Sequence, residues 1–258
     1  MITEFEWLQA GHCLSLDALT IKAGRWRVDR YPAGFALFKH PKHGWALFDT
    51  GYSEHFFAAS KRFPYRLYRF ATPVTLLPGE SARAQLARRS IRPEEIKTLF
   101  LSHLHADHVA GIRDFPQADF VTSRAGFEAL HSLRGMAAVR GGFLPDLLPS
   151  DFEQRTRWIE EDPDVWGDQS VRMVALPGHA PGQYGARILT DGGEKFLCAD
   201  ACWQSRAYRD LVDLPAFTHA LLTYDVPAFR ESLRALHQFS RENPEVAIYP
   251  SHCSEAFR

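Results

Sequence analysis

The sequence predicts a mixed α/β protein whose sheets are covered by helices. Short apolar strand patterns dominate the first third of the chain, and strands alternate with helices afterwards. Several of these strands end at a histidine or an aspartate. Apolar residues make up 45% of the 258 residues and charged residues 24%, which is typical of a globular protein with a sizeable core. We therefore expect one domain over residues 1–258.

Local patterns define the elements in chain order. Two apolar runs around residues 40–44 predict a hairpin whose second arm ends at Asp49-Thr50-Gly51. Later strands are predicted at residues 96–102, 118–123, 171–176 and 246–253, with a hairpin over 185–200. Helices are predicted at residues 82–90, from Arg124 onward and at 227–241. Residues 135–168 are rich in glycine, proline and acids, so they predict a long surface excursion.

Charge and hydropathy exclude several classes of protein. The 31 acidic and 30 basic residues nearly cancel, which argues against a nucleic-acid binder that depends on bulk positive charge. No segment approaches the roughly 18 apolar residues that span a bilayer. The N-terminal segment contains Glu4 and Glu6 where a signal peptide would be basic. We therefore expect a cytoplasmic protein without stable membrane insertion.

The segment LSHLHADHVAG, residues 101–111, concentrates side chains that bind metals. His103 and His105 are two positions apart, so in extended backbone both imidazoles project to the same side. Asp107 and His108 follow where the chain turns, and they can face a second ion beside the first. Imidazole and carboxylate are ligands that zinc accepts, and iron and manganese accept them too. The segment therefore predicts part of a metal site.

Three further candidate ligands end apolar strand patterns: His179 in PGHAPG, Asp200 in LCAD and His252 in PSHC. Together the seven side chains predict two divalent ions, with zinc as the first choice. We expect the first ion to be held by His103, His105 and His179, the second by Asp107, His108 and His252, with Asp200 shared. A hydroxide bridging the two ions would be the nucleophile, and Asp107 would orient it and carry its proton to the leaving group.

The motif order resembles that of a known family. HLHADH resembles the HxHxDH signature of the metallo-β-lactamase superfamily, and GHAPG, CAD and SHC are similar to its remaining ligand blocks. The resemblance extends from LFDTG to His252. It implies a four-layer αββα sandwich, with two packed sheets, helices outside and the metals at one edge. It also implies that Asp49 supports the ligands.

Within that superfamily, the complete ligand set and the DTGY segment resemble the acyl-homoserine lactone lactonases and pyridoxolactonase. Those enzymes carry a tyrosine three residues after the bridging aspartate, where this chain has Trp203, whose indole N–H can donate one hydrogen bond. The resemblance implies hydrolysis of a small ester-like substrate, most readily a lactone. Two alternatives remain open: a phosphodiesterase or thioesterase with the same site, and a metal-bound sensor or partner-binding protein with little turnover.

The aromatic and basic stretch 55–70 is expected to shape the substrate pocket. Phe57 and Tyr68 belong to an apolar wall suited to an acyl chain. The arginines recur at i, i+4 and i+7, and one face of a helix would then present an anion-binding row: Arg62, Arg66 and Arg69. A solvated helix face, a homodimer contact and a membrane-surface element are the alternatives for this stretch.

Overall fold

The structure, a computed structural model, describes residues 1–257 and contains two β-sheets. Their strands are β1 (Glu4–Leu16), β2 (Val28–His40), β3 (Gly44–Phe48), β4 (Val74–Thr75), β5 (Ile96–Phe100), β6 (Asp119–Ser123), β7 (Thr156–Ile159), β8 (Val171–Ala175), β9 (Tyr184–Thr190), β10 (Gly193–Ala199) and β11 (Ala247–Pro250).

The helices lie between the strands: α1 (Asp17–Thr20), α2 (Glu54–Ala59), α3 (Arg66–Ala71), α4 (Ala82–Arg88), α5 (Ala106–Val109), α6 (Arg124–Leu130), α7 (Gly135–Arg140), α8 (Ser205–Arg209), α9 (Ala216–Leu222) and α10 (Val226–Glu242). Short 3₁₀ turns occur at Pro93–Glu95, Ile112–Asp114, Pro145–Leu147 and Ser254–Phe257. Among the residues that the structure describes, no helix has the length and apolar character needed to cross a bilayer.

The first sheet has seven strands in the order β4-β1-β2-β3-β5-β6-β7. The predicted hairpin around residues 40–44 is confirmed, because β2 and β3 pair antiparallel with His40 opposite Gly44. From β3 onward the strands β3, β5, β6 and β7 run parallel to one another. Their carboxyl ends therefore meet at one edge of the sheet.

The second sheet has four strands in the order β11-β10-β9-β8. The predicted hairpin in residues 185–200 is confirmed, with Gly193 of β10 opposite Thr190 of β9. β10 and β11 run parallel, so the segments that follow them leave the sheet at the same edge. Asp200 follows β10 and His252 lies just beyond β11.

The two sheets pack face to face and helices cover their outer faces. Phe38 and Phe100 of the first sheet meet Met173 and Leu197 of the second in one buried cluster. A second cluster joins the outer face of the first sheet to α2 and α4 through α7, and a third joins the second sheet to α8 and α10. The αββα arrangement that the family resemblance implied is thus confirmed.

The predicted helix over residues 227–241 is confirmed as α10. The Asp225 carboxylate accepts a hydrogen bond from the Ala228 amide at 3.0 Å and caps the first turn. Phe229, Leu233 and Leu236 recur at helical spacing and are buried against the second sheet. Burial of this apolar face, together with the cap, fixes α10 on the molecule.

The prediction of a surface excursion over residues 135–168 is wrong. The segment contains α7 and β7, and Phe143, Leu147 and Phe152 are buried in the core beside the first sheet. β7 extends that sheet, with Arg157 opposite Val121 of β6. The prediction failed because apolar residues are sparse in this segment, which is rich in glycine, proline and acids. These apolar residues pack against other parts of the chain and therefore leave no local periodicity.

Replacing Phe100 with alanine tests the inter-sheet core. The side chain is completely buried, so we expect the Phe100→Ala variant to lose about 3–5 kcal/mol of unfolding free energy. Urea titration of the metal-free protein measures the change. The matched control is Phe70→Ala, because Phe70 is 86% exposed and its loss is expected to change stability by less than about 0.5 kcal/mol. Equal losses in both variants would contradict the assignment of this core.

Candidate metal centre

The candidate ligands lie where strands of both sheets end at the same edge of the sandwich. His103 follows β5, and α5 then carries Asp107 and His108. His179 follows β8, while Asp200 and His252 follow β10 and β11. The rigid strands therefore deliver side chains from distant parts of the sequence to one place.

Two backbone hydrogen bonds join the sheets beside these residues. The Tyr184 amide at the start of β9 donates to the Ser102 carbonyl at 2.9 Å, and the Gly34 amide of β2 donates to the Ser251 carbonyl at 2.9 Å. Ser102 precedes His103 and Ser251 precedes His252. The bonds hold the two ligand segments to the opposite sheet.

The first predicted group of ligands forms a compact cluster. His179 Nε2 lies 3.0 Å from His105 Nδ1, and the ring centroids of His103 and His105 are 4.4 Å apart. His103, His105 and His179 can each offer one nitrogen such that the three nitrogens lie within 4.8 Å of one another. This spacing fits three ligands around one ion.

The second predicted group lies beside the first. His252 Nε2 is 3.4 Å from Asp107 Oδ2, and His108 Nε2 is 3.9 Å from Asp107 Oδ1. The three ligand atoms of Asp107, His108 and His252 again lie within 4.8 Å of one another. The structure therefore brings the second set together as well.

Asp200 lies between the two groups. Its Oδ1 is 3.4 Å from His108 Nε2, and its Oδ2 is 3.3 Å from His179 Nε2 and 3.2 Å from His252 Nε2. One carboxylate thus contacts imidazoles of both groups, which is the position a shared ligand requires. His103, His108 and Asp200 also form a third compact group of ligand atoms.

Hydrogen bonds on the outer side of the rings set which nitrogen faces the cluster. His252 Nδ1 donates to the Pro32 carbonyl at 2.7 Å, and His103 Nδ1 lies 2.9 Å from the Ser102 hydroxyl. The Nε2 atoms of both rings are therefore left to face the centre.

Asp49 performs the same task for His108. Its Oδ2 accepts from His108 Nδ1 at 2.8 Å and from the Ser102 hydroxyl at 2.7 Å, while Oδ1 accepts from the Ser102 amide at 2.8 Å. Asp49 is fully buried and has a φ of 57°, and Ala199, which precedes Asp200, has a φ of 48°. Such strained non-glycine residues are found where a site requires a particular direction of a side chain.

The residues present fit bound cations. Among the residues that the structure describes, three buried atoms that point into the cluster have no hydrogen-bond partner: His103 Nε2, His108 Nε2 and Asp200 Oδ1. A buried polar atom without a partner is costly, and a metal ion satisfies all three. The His/Asp clusters therefore fit a site for two metal ions.

The electrostatics favour the metal-binding forms of His103, His105 and Asp200. Burial, followed by neighbouring imidazoles, lowers the pKa of His103 and of His105 well below the usual range, so both are neutral. Burial opposes ionisation of Asp200, but the imidazoles of His252, His108 and His179 outweigh it and lower the pKa of this carboxyl. Neutral imidazole and ionised carboxylate are the forms that bind metals. Burial opposes protonation of His108 and His252, but the charge of Asp200 outweighs it and raises the pKa of both imidazoles, so metal binding competes with protonation there.

A cavity of about 380 Å³ opens over the cluster. Its floor includes His105, Asp107, His179, Asp200 and His252. Much of the remaining wall is apolar and comes from α6, α7, the segment between them and the end of α9: Ala129, Leu130, Leu133, Val139, Leu221 and Leu222. The volume lies within the range of about 300–1,000 Å³ found for small-molecule sites.

Of the four residues that the sequence predicted for substrate binding, two line the cavity and two do not. Trp203 and Tyr68 line the cavity, whereas Phe57 and Arg66 are not part of its wall. Phe57 instead packs edge-on against Phe56, with ring centroids 5.6 Å apart. Arg66 is exposed at the start of α3, and Arg62 precedes that helix. Phe57 of the predicted aromatic wall therefore packs against the core. The prediction failed because an aromatic residue that faces the core and one that lines a pocket look alike in sequence.

The leucines of the cavity wall were not anticipated. Leu221 and Leu222 end α9, in a stretch to which the sequence assigned no element, and both side chains are exposed. Leu130 and Leu133 read as ordinary helix residues. The only signal in the sequence that sets Leu221 and Leu222 apart is that they are adjacent, which departs from the pattern of a helix with a single apolar face.

Trp203 and Tyr68 make different contacts at the cluster. The indole Nε1 of Trp203 donates to Asp200 Oδ2 at 3.0 Å, so this N–H is engaged by a candidate ligand. The Tyr68 hydroxyl faces Asp107. Burial, and after it the charge of Asp107, raises the pKa of Tyr68 well above the usual range, which keeps this phenol protonated. Tyr68 is therefore a hydrogen-bond donor at the cavity floor.

Solved structures with this architecture include lactone-cleaving enzymes. A mutant of AiiA from B. thuringiensis, with N-decanoyl-L-homoserine bound at the active site, superposes with a TM-score of 0.77 at 21% identity and covers 99% of this chain and 95% of that one. An N-acyl homoserine lactone hydrolase with the product N-hexanoyl-L-homoserine bound at its catalytic metal center superposes with a TM-score of 0.78 at 21% identity, with 99% and 95% covered. At this identity the likeness establishes the fold.

Sequence comparison establishes the family. The profile of the metallo-beta-lactamase superfamily matches residues 36–197, which is well over half of the chain. The N-acyl homoserine lactonase AttM of Azorhizobium caulinodans is 28% identical over 213 residues, covering 80% of this chain and 77% of that protein. The chain therefore belongs to the metallo-beta-lactamase superfamily, and it is a metal-dependent hydrolase related to the N-acyl homoserine lactonases.

Proposed function

We propose that the protein hydrolyses a lactone that carries an acyl chain, with N-acyl homoserine lactones as the first class to test. One observation carries the proposal: a cluster of histidines and aspartates forms the floor of a cavity, and much of the remaining wall of this cavity is apolar. The cluster supplies the polar chemistry, and the leucine-lined walls offer an apolar surface of the kind that an acyl chain buries. The named substrates and products of the relatives belong to the same class.

In this proposal, His103, His105 and His179 hold one ion, and Asp107, His108 and His252 hold the other, with Asp200 shared. Zinc is the first choice because it binds imidazole nitrogens and carboxylate oxygens, although iron and manganese accept the same ligands. When bound, two divalent cations supply Lewis acidity and ionised water near neutral pH.

Asp107 is the proposed proton carrier. Asp200 contacts three imidazoles and accepts a hydrogen bond from the Trp203 indole, so it is held between the two groups as the shared ligand. Asp107 is more accessible and lines the cavity, and its carboxylate faces the Tyr68 hydroxyl. It accepts the proton released when water attacks the carbonyl carbon, and it returns the proton to the departing alkoxide of the opened ring.

Tyr68 is the proposed donor to the substrate carbonyl oxygen. Because the indole N–H of Trp203 is engaged by Asp200, the phenol of Tyr68 is better placed for this role. A protonated hydroxyl at this position stabilises negative charge that develops on the oxygen during attack. Trp203 in turn holds Asp200 in its orientation between the two groups.

The phosphodiesterase alternative loses the feature that would have favoured it. An anionic substrate was expected to meet the row of Arg62, Arg66 and Arg69, but none of the three lines the cavity. Arg140 is the cationic side chain that does, and it is exposed. Thioesters remain chemically accessible to the same residues and belong in the substrate panel.

The function is tested by proton release from N-hexanoyl- and N-decanoyl-homoserine lactone after zinc reconstitution, with a chelator-treated sample as the control. Metal-dependent ring opening is expected, with the longer chain preferred because more apolar surface is buried along the leucine wall. No turnover of either lactone by fully metal-loaded protein would overturn the proposal. Turnover of an acyl thioester alone would reassign the substrate class.

Replacing Asp49 with asparagine tests the support of His108. Asparagine tolerates the left-handed backbone at this position, but it has one accepting oxygen where the carboxylate uses two, and its NH₂ group cannot accept from His108 or Ser102. We expect the affinity for one of the two metal ions to fall about 10- to 100-fold. Competition with a chromogenic chelator measures both binding steps, and Asp119→Asn, at an exposed carboxylate, is the control. Unchanged affinity at both steps would refute this role of Asp49.

Replacing Asp107 with asparagine tests the proton carrier. We expect kcat to fall by about 10²–10⁴, because general acid–base catalysis contributes that much and an amide cannot carry the proton. Metal content is measured by atomic emission, so that lost catalysis is separated from lost metal. Near-normal turnover in a metal-loaded Asp107→Asn variant would exclude this assignment, whereas Asp119→Asn should behave as the wild type.

Replacing Tyr68 with phenylalanine tests the carbonyl donor. The variant lacks only the hydroxyl, and we expect kcat to fall roughly 10- to 100-fold with metal affinity unchanged. Tyr249→Phe is the matched control, since the Tyr249 ring packs against Phe5 and Trp7 outside the cavity. If Trp203→Phe lowered kcat while Tyr68→Phe did not, the donor would be the indole instead.

A further inference from the structure

The cavity opens on a surface that exposes several large apolar side chains. We define the mouth surface as residues 61–71, 134–140 and 221–224. Six of its large apolar side chains have exposed fractions between 43% and 86%: Phe63, Phe70, Met136, Leu221, Leu222 and Tyr224. Exposed apolar side chains grouped in this way mark an interaction site.

The three segments surround the same opening. Ala71, Arg140 and Leu222, one from each segment, all line the cavity. The Gly135 amide at the start of α7 donates to the Tyr65 hydroxyl at 3.1 Å, which joins the first two segments directly. Leu221, Leu222 and Tyr224 thus line the opening, and Phe63, Phe70 and Met136 lie on the two segments that border it.

The mouth surface is also strongly cationic. It contains six basic side chains: Lys61, Arg62, Arg66, Arg69, Arg134 and Arg140. Residues 55–79 and 129–145 contain no aspartate or glutamate, although the whole chain has a net charge of −1. Nearby carboxylates are engaged elsewhere, since Glu128 lies 3.9 Å from Arg124 and Asp225 caps α10. The positive charge is thus concentrated on this face and is not neutralised there.

This combination of charge and apolarity selects the occupant. In a symmetric contact between two copies, two surfaces of the same positive charge would face each other and repel. A nucleic acid would use the charge and could stack bases on the aromatic rings, but it would leave Met136, Leu221 and Leu222 in water. A bilayer with anionic headgroups satisfies both features, because arginines bind the headgroups while phenylalanine and leucine enter the acyl boundary.

We propose that the mouth surface docks reversibly on an anionic lipid bilayer, so that the cavity faces the membrane. The exposed Leu221 and Leu222 line the same cavity as Leu133 and the buried Leu130. An acyl chain dissolved in the bilayer can follow this lining to the cluster without crossing water. The docking itself does not depend on the proposed lactonase activity, and only this route for the substrate rests on it.

Vesicle sedimentation tests the docking without any substrate. The full-length, zinc-loaded protein is mixed with vesicles of phosphatidylcholine alone or of phosphatidylcholine with phosphatidylglycerol. We expect co-sedimentation with the anionic vesicles only, and we expect salt to weaken it because arginine–headgroup attraction is screened. Absence of binding to phosphatidylglycerol vesicles at low salt would overturn the proposal.

Two double variants assign the binding to this face. Arg62→Glu/Arg66→Glu should lower the partition coefficient about fivefold or more for each arginine replaced. Phe63→Ser/Phe70→Ser should weaken binding that persists at high salt. The matched controls are Arg234→Glu/Arg241→Glu on α10 and Leu189→Ser on β9, which should bind as the wild type. Circular dichroism melting verifies that each variant is folded.

Three outcomes would contradict the proposal. Equal losses in the control variants would mean that net charge alone drives the binding. Concentration-dependent self-association that Phe63→Ser/Phe70→Ser abolishes, without binding to vesicles, would make the face a contact between copies of the chain. Lactone hydrolysis by a protein that ignores vesicles would overturn the docking and leave the proposed function intact.

Discussion

The structure is organised around a group of charged and polar side chains that are withdrawn from water. Histidines and aspartates of three overlapping groups share one edge of the sandwich, and their central carboxylate, Asp200, touches three imidazoles. Burying an ionised carboxylate is costly unless opposite charge or hydrogen bonds compensate. His103 and His108 each keep a buried nitrogen without a partner. Bound cations remove this cost, so the arrangement couples metal binding to the stability of the edge.

The fold fixes the cluster from outside as well as from within. Hydrogen bonds from His252 to the Pro32 carbonyl and from His108 to Asp49 orient rings that come from different sheets. Backbone bonds from Tyr184 to Ser102 and from Gly34 to Ser251 close the two sheets beside the ligand segments. The apolar core between the sheets makes this frame rigid, because close-packed side chains resist displacement. The positions of the candidate ligands are therefore fixed in part by the packing of the apolar core between the sheets.

The residues of the cavity and of the mouth surface are positioned by different elements from those that position the cluster. They come from short helices that are placed by tertiary contacts, such as the bond between Gly135 and Tyr65. Leu221 and Leu222 are exposed and line the cavity, so they do not belong to the core. The same chain thus combines a buried cluster of candidate ligands with an apolar and cationic rim.

The family and the candidate ligands could be predicted from the sequence alone, because HLHADH and the later histidine and aspartate positions are local patterns at predicted strand ends. The hairpins and α10 could be predicted as well, since their apolar periodicity is local. Which side chains line the cavity depends on the tertiary fold. Phe57 packs against Phe56, Leu222 lines the cavity, and the indole N–H of Trp203 donates to Asp200. These outcomes depend on contacts between segments distant in sequence, and an apolar residue carries no local signal that separates packing against a core from packing against a substrate.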